Sequence, residues 1–183
     1  MRFWKSAVFY SLIAIMLLVS VGMDYVQKKE MEEDLKNTSG PPPAIGSQAP
    51  EFNVMNKDKA VISSNELYEK NTLIVSWDIN CSPSIEMLRK LDNYIKTQDT
   101  GNINIIPINT ENTSMQIEKF FSGEQIDLPI FTDNKKSAKW AFKVTVHPSI
   151  YIIDDQGLIL HRQTGFSDVI MESIINILNA ADN

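Results

Sequence analysis

The sequence predicts an α/β domain, a mixed sheet flanked by helices, carried behind an N-terminal transmembrane helix. Three observations predict it. An uncharged stretch runs from Ser6 to Met23 directly after Arg2 and Lys5. Short β-branched runs then alternate with helix-period segments. Near the end, two apolar runs flank Asp154-Asp155-Gln156-Gly157 and read as a hairpin, with one more amphipathic helix behind it.

The stretch Ser6–Met23 spans roughly 27 Å as a helix at ~1.5 Å per residue, enough to cross a hydrocarbon core. It is longer than the apolar part of a usual signal peptide, and no small-x-small cleavage site follows, so residues 1–23 read as an uncleaved anchor. The short basic N-terminus favours cytoplasmic retention and places the rest of the chain outside, although Lys28 and Lys29 oppose this. Residues 24–44 read as a tether. Asp24 to Leu35 is densely charged and can prolong the helix into water, and Pro41-Pro42-Pro43 ends it as a stiff extended spacer.

The folded domain is expected over 45–183, roughly 140 residues, enough for one real core. Glu51–Met55 and Ala60–Ile62 read as short strands around a polar turn, and Ser63 or Ser64 caps a short helix through Tyr68. Thr72–Trp77 is the first core strand. A helix from Ser82 to about Thr97 presents Ile85, Leu88, Leu91 and Ile95 on one face. Ile103–Ile108 is the next strand, and Thr113 or Ser114 caps a helix carrying Ile117, Phe120 and Phe121. Leu128–Phe131 reads as a strand and Lys135–Phe142 as a short helix. Ser149–Ile153 and Leu158–His161 form the hairpin. Ser167 caps a final helix with Ile170, Ile174, Ile175 and Ile177 inward.

Composition narrows the function. Seventeen basic against 23 acidic residues give a formal net charge of −6, and no basic cluster marks a nucleic-acid surface. A single cysteine rules out an intrachain disulfide framework and a multi-cysteine zinc site. The two histidines, His147 and His161, have no metal-ligand spacing. No cofactor and no bound metal are expected.

Cys81 follows the core strand and opens the long helix. Unpaired amides and the helix dipole at that end favour a thiolate, the attacking form of cysteine. The alternative is a buried, inert cysteine. Gly46-Ser47-Gln48-Ala49-Pro50-Glu51-Phe52, Trp77 four residues before Cys81, Pro83 two residues after it, Val144–Asp154 around His147-Pro148, and Gln156-Gly157 occur in that order. With these motifs in register, the chain resembles the bacterial, membrane-anchored, extracytoplasmic thioredoxin-like proteins of the TlpA/ResA type, among which thiol–disulfide oxidoreductases predominate. The resemblance covers Ile45 to about Ile177.

The resemblance implies a thioredoxin-like fold, with Cys81 as nucleophile and Ser84 where the family carries its second, resolving cysteine. It implies that Pro148 is cis and that Trp77, Ser82, Pro83, His147 and Pro148 border the substrate. Ser84 is expected to donate a hydrogen bond to the Cys81 sulfur, and His147 to bias its ionisation. Trp77 also has a plain packing role open to it. Asn80 stands in place of the family's tryptophan, Ser76 in place of an aromatic, and Val75 in place of a buried acid that helps move a proton during resolution. Site-specific chemistry would therefore be exchange through one thiol, with exported protein thiols or disulfides, or a partner oxidoreductase, as partners. A redox-inactive binding or chaperone-like module is the alternative. A peroxiredoxin-like peroxidase ranks last, because Asp78-Ile79-Asn80-Cys81 lacks the Thr-x-x-Cys setting and its arginine.

Overall fold

The structure is a computed structural model describing residues 2–98 and 102–181, with side chains from Phe9 to Ala180. The charges of Arg2 and Lys5 and the last two residues of the expected 45–183 domain lie outside this description. The chain divides into two compact units, Met1–Ser39 and Gly40–Asn183.

The first unit is one helix, α1 (Arg2–Thr38). From Phe9 onward it contains a stretch of mean hydropathy 1.8, long and apolar enough to cross a membrane. The charged run after Met23 continues the helix without a break.

In the second unit, β1 (Asn53–Asn56), β2 (Val61–Ser63), β3 (Asn71–Trp77), β4 (Ile103–Asn109), β5 (Phe131–Thr132), β6 (Ser149–Ile153) and β7 (Ile159–Thr164) form one sheet in the order β2-β1-β5-β4-β3-β6-β7. β3 runs parallel to β4 and antiparallel to β6. The helices are α2 (Ser64–Leu67), α3 (Ser82–Thr97), α4 (Ser114–Gly123), α5 (Ser137–Ala141) and α6 (Asp168–Ala181). This is the mixed sheet flanked by helices that the sequence predicts, with a thioredoxin-like fold.

Side chains alternate across β3 and build two cores. Leu73, Val75 and Trp77 join Ile85, Leu88 and Leu91 of α3, Ile117 of α4, and Met171, Ile174 and Leu178 of α6. Ile74 joins Ile108, Tyr151, Ile153, Leu67, Ala138 and Phe142 on the opposite face. On α3 the fully buried Met87 widens the stripe, while on α6 Met171 and Leu178 go deeper than Ile170 and Ile177.

Differences from the expected elements have local causes. Phe52 does not enter β1, because its N–H donates to Ser64 Oγ at 3.1 Å. Ser63 is therefore the residue left to cap α2, through a capping box with Glu66. Leu128–Ile130 stays outside the ladder, and β5 is confined to Phe131–Thr132. The proline spacer is held rather than free: Arg162 donates to the carbonyls of Pro42 and Pro43, both at 3.4 Å. At the hairpin turn Gly157 adopts φ 77°, a conformation suited to glycine, and Asp154 Oδ1 accepts from the N–H groups of Gln156 and Leu158.

Candidate functional site

Sheet order assembles the site. β3 lies between β4, which runs with it, and β6, which runs against it. The ends of β3 and β4 and the start of β6 therefore share one edge of the sheet. The three loops there carry Asp78–Cys81, Thr110–Asn112 and His147–Pro148.

A set of turn hydrogen bonds fixes the first loop. The N–H of Cys81 donates to Asp78 O at 3.1 Å, and Asp78 Oδ1 accepts from the Asn80 N–H at 3.0 Å. The second loop clips onto it. Asn112 Oδ1 accepts from the Ile79 N–H and from Asn109 Nδ2, and the Thr110 N–H donates to Trp77 O. Cys81, half-buried, is the N-cap of α3, with Pro83 in the first turn. Pro83 has no N–H, so Ser82 and Ser84 supply the free amides of that turn.

His147–Pro148 is cis, as expected. The Cys81 thiol donates to the carbonyl oxygen of His147 at 3.3 Å, which brings nucleophile and proline loop into direct contact. Behind the contact, Pro148 is buried and Ser82 and Pro83 are exposed on the rim.

Three expectations need correction. Ser84 does not bond the sulfur: its side chain is fully buried and its hydroxyl has no partner, because the third helical residue points into the core rather than toward the N-cap. Trp77 does not border a substrate. It is 1% exposed and packs against Phe120 and Phe121 with centroids at 5.7 and 5.8 Å, so it supports the loop from beneath. The His147 group at Cys81 is its carbonyl, whereas its ring turns to Thr110 Oγ1, 2.8 Å from Nε2.

That ring leads to residues the sequence did not single out. Thr110 Oγ1 lies 3.1 Å from the buried Ser76 Oγ. Glu111 Oε1 lies 3.6 Å from His147 Nε2, and Lys139 Nζ holds the two Glu111 oxygens at 2.9 and 3.1 Å. Burial lowers the His147 pKa from 6.5, against the raising pull of the Glu111 and Asp78 carboxylates. The imidazole is therefore neutral near pH 7. Asp133, under α5, accepts from the Lys139 N–H at 2.7 Å, and burial raises its carboxyl. The signal available in the sequence was the polar run Asn109–Thr113, which ends the strand beside β3. Lys139 gave none, since a lysine on a short helix ordinarily faces water.

No arginine of the domain reaches Cys81. Arg89 pairs with Glu124 at 2.8 Å, and Arg162 is engaged by the proline segment.

Comparison with known proteins agrees with this fold. The AhpC/TSA family model matches residues 45–162, more than half of the chain. The thiol-disulfide oxidoreductase ResA of Bacillus subtilis (strain 168) is 19% identical over 138 residues, covering 75% of this chain and 77% of that relative. Two solved structures align with the same region. The exposed lipoprotein thioredoxin of Streptococcus pneumoniae strain TIGR4 has a TM-score of 0.61 at 18% identity, over 71% of this chain and 98% of that one. StoA from Bacillus subtilis has a TM-score of 0.59 at 16% identity, over 72% and 98%. Identities this low speak for the fold alone, while the family match spans all five sequence motifs and all three loops of the site. The chain belongs to the AhpC/TSA family.

Proposed function

We propose that this chain is a membrane-tethered thiol–disulfide exchange protein, acting outside the cytoplasm through Cys81 alone. Residues 1–23 form the anchor, 24–44 the tether and 45–183 the working domain. The carrying observation is the 3.3 Å contact between the Cys81 thiol and the His147 carbonyl at the mouth of a helix N-terminus. An extended substrate lying along this loop would meet its backbone while presenting a sulfur to Cys81. Support also comes from relatives named thiol-disulfide oxidoreductases.

The Cys81 thiolate attacks one sulfur of a substrate disulfide and releases the other as a thiol, leaving a mixed disulfide on Cys81. The chain has no second cysteine, so an external thiol must attack the adduct to restore Cys81. Substrates are disulfides or thiols of exported proteins or of a partner oxidoreductase.

The full chain in detergent, treated with oxidised glutathione, should accumulate a glutathionyl adduct on Cys81, seen by intact mass and reversed by dithiothreitol. Turnover of a protein disulfide should require added thiol. A Cys81 that neither alkylates at neutral pH nor forms an adduct would instead identify a binding module. Protease added to spheroplasts should digest the domain, and protection until lysis would reverse the assigned side.

A further inference from the structure

Resolution of a mixed disulfide needs a place for a proton, and neither Val75 of β3 nor Ser84 of α3 supplies one. Val75 is wholly buried and apolar, and Ser84 has a hydroxyl without partners in the core. The side chains that gather at this edge are those of the neighbouring loops. The His147 ring is 13% exposed and pinned through one nitrogen. Glu111, held by Lys139, places an acceptor-only oxygen 3.6 Å from Nε2, which favours the tautomer with the proton on Nε2. In that tautomer Thr110 Oγ1 accepts from the N–H across 2.8 Å, and it shares a further hydrogen bond of 3.1 Å with Ser76 Oγ, in which either oxygen can donate. Nδ1 then carries the lone pair, and no residue among those described bonds it.

We propose that His147 is the proton carrier of the resolution step, its Nδ1 taking the proton of an external small thiol as that thiol attacks the Cys81 adduct. The inference rests on the exchange reading above. The balance is closed. His147 takes H⁺ from R–SH, and RS⁻ attacks the substrate-derived sulfur of Cys81–S–S–R′. The new R–S–S–R′ bond forms as the Cys81 S–S bond breaks, with its electron pair leaving on Cys81. The proton on Nδ1 returns to the Cys81 thiolate. The external thiol is oxidised, Cys81 is reduced, and His147 is unchanged. Thr110, Glu111 and Lys139 are positioning residues, which act by fixing the tautomer.

The charged groups facing the ring are Glu111 from the loop after β4, Asp78 from the loop after β3, and Lys139 from α5. Cys81, from the start of α3, meets the carbonyl of the same residue. The two carboxylates draw a proton toward the imidazole, while burial and Lys139 resist it. The net lowering leaves a neutral base at pH 7.

The test uses the full chain in detergent, charged with glutathione on Cys81 and then resolved by 2-mercaptoethanol from pH 5 to 10. The wild-type rate should exceed that of His147→Gln by about 10²-fold near pH 7, the scale of general-base catalysis. The two should converge at high pH, where the added thiol is already ionised. Curves that superimpose, or that differ by one constant factor at every pH, would overturn the proposal. Glu111→Gln keeps the imidazole but removes a carboxylate that raises its pKa, so the acid limb should move to lower pH. An unmoved acid limb would also overturn it, even where His147→Gln fails to fold. Failure of wild-type Cys81 to accept glutathione at all would defeat the exchange reading itself, whereas normal loading with resolution indifferent to His147 would defeat only the base.

Discussion

Replacing Ser84 with alanine should make the protein more stable. Ser84 is fully buried and its Oγ has no hydrogen-bond partner, so folding strips water from the hydroxyl without compensation. A polar group buried that way costs about 1–3 kcal/mol. Removing the oxygen sacrifices a few dispersion contacts at roughly 0.1–0.2 kcal/mol each. Alanine also has the higher helix propensity, by up to about 0.5 kcal/mol. The net expectation is a gain of about 1–2 kcal/mol, or an increase of about 3–8 °C in Tm for a domain of this size. Thermal unfolding of the full chain in detergent, followed by near-UV circular dichroism, reads the loss of fixed aromatic packing, such as that of Trp77, without the backbone signal of α1. Alkylation of Cys81 should proceed at the wild-type rate, because the hydroxyl does not touch the sulfur. A loss of stability of about 1 kcal/mol, or a several-fold change in alkylation, would show that the hydroxyl has a partner and refute the reasoning.

Other perturbations follow from the same geometry. Ser84→Cys places a less polar, weakly donating group in the same buried position and supplies a second thiol one turn from Cys81, so repeated disulfide reduction without added monothiol should appear in an insulin-type turnover assay. Trp77→Ala empties a fully buried site against Phe120 and Phe121, and should cost about 3–5 kcal/mol by denaturant titration. Stability should fall as pH drops through the histidine range. Burial puts the folded His147 pKa below the unfolded value, so between the two the unfolded chain binds more protons and stability rises with pH, reaching its plateau above about pH 6.5. His147→Gln should remove most of that slope, and a mutant with the wild-type slope between pH 5 and 7 would contradict it. His161 shifts in the same direction but is far more exposed, so its share is smaller.

Local features were readable in the sequence where local chemistry decides them. The α3 helix begins and ends where the strand run, Cys81, Pro83 and the apolar spacing place it. The capping boxes at Ser63 and Thr113 confirm the helix starts read from their hydroxyls. Apolar Leu128, Ile130 and Phe131 suggest a strand that contracts to Phe131–Thr132, and the proline alone does not decide this, since Pro107 sits inside β4 opposite Val75. Phe52 looked like strand because pairing depends on what its N–H meets, and the partner, Ser64, lies on another element. The polar chain was the least legible part. Ser76, Thr110, Glu111, Lys139 and His147 come from four separate segments, and only the order β5-β4-β3-β6 brings them together. Glu111–Lys139 was invisible because a buried lysine is recognised by its partner, never by its neighbours in sequence.

The two faces of β3 explain how a site with Val75 and Ser84 at these positions stays coherent. Trp77 and Val75 point into the core beneath α3, and that face does mechanical work: it fixes the loop and the first turn that carry Cys81. Ser76 points the other way and begins the polar chain through Thr110 to His147. The positions to which the resemblance assigns a second thiol and a buried acid, Ser84 and Val75, are both buried on the α3 side. Here that side has become apolar at Val75 and inert at Ser84, while the opposite side carries an ionisable ring attached to the very residue whose carbonyl receives the Cys81 thiol. On the mechanism proposed above, the resolving thiol comes from solvent over the exposed rim at Ser82 and Pro83, and His147 takes its proton in place of a group in the core. On that proposal, proton handling moves to the face of β3 that carries Ser76, opposite the apolar face of Val75.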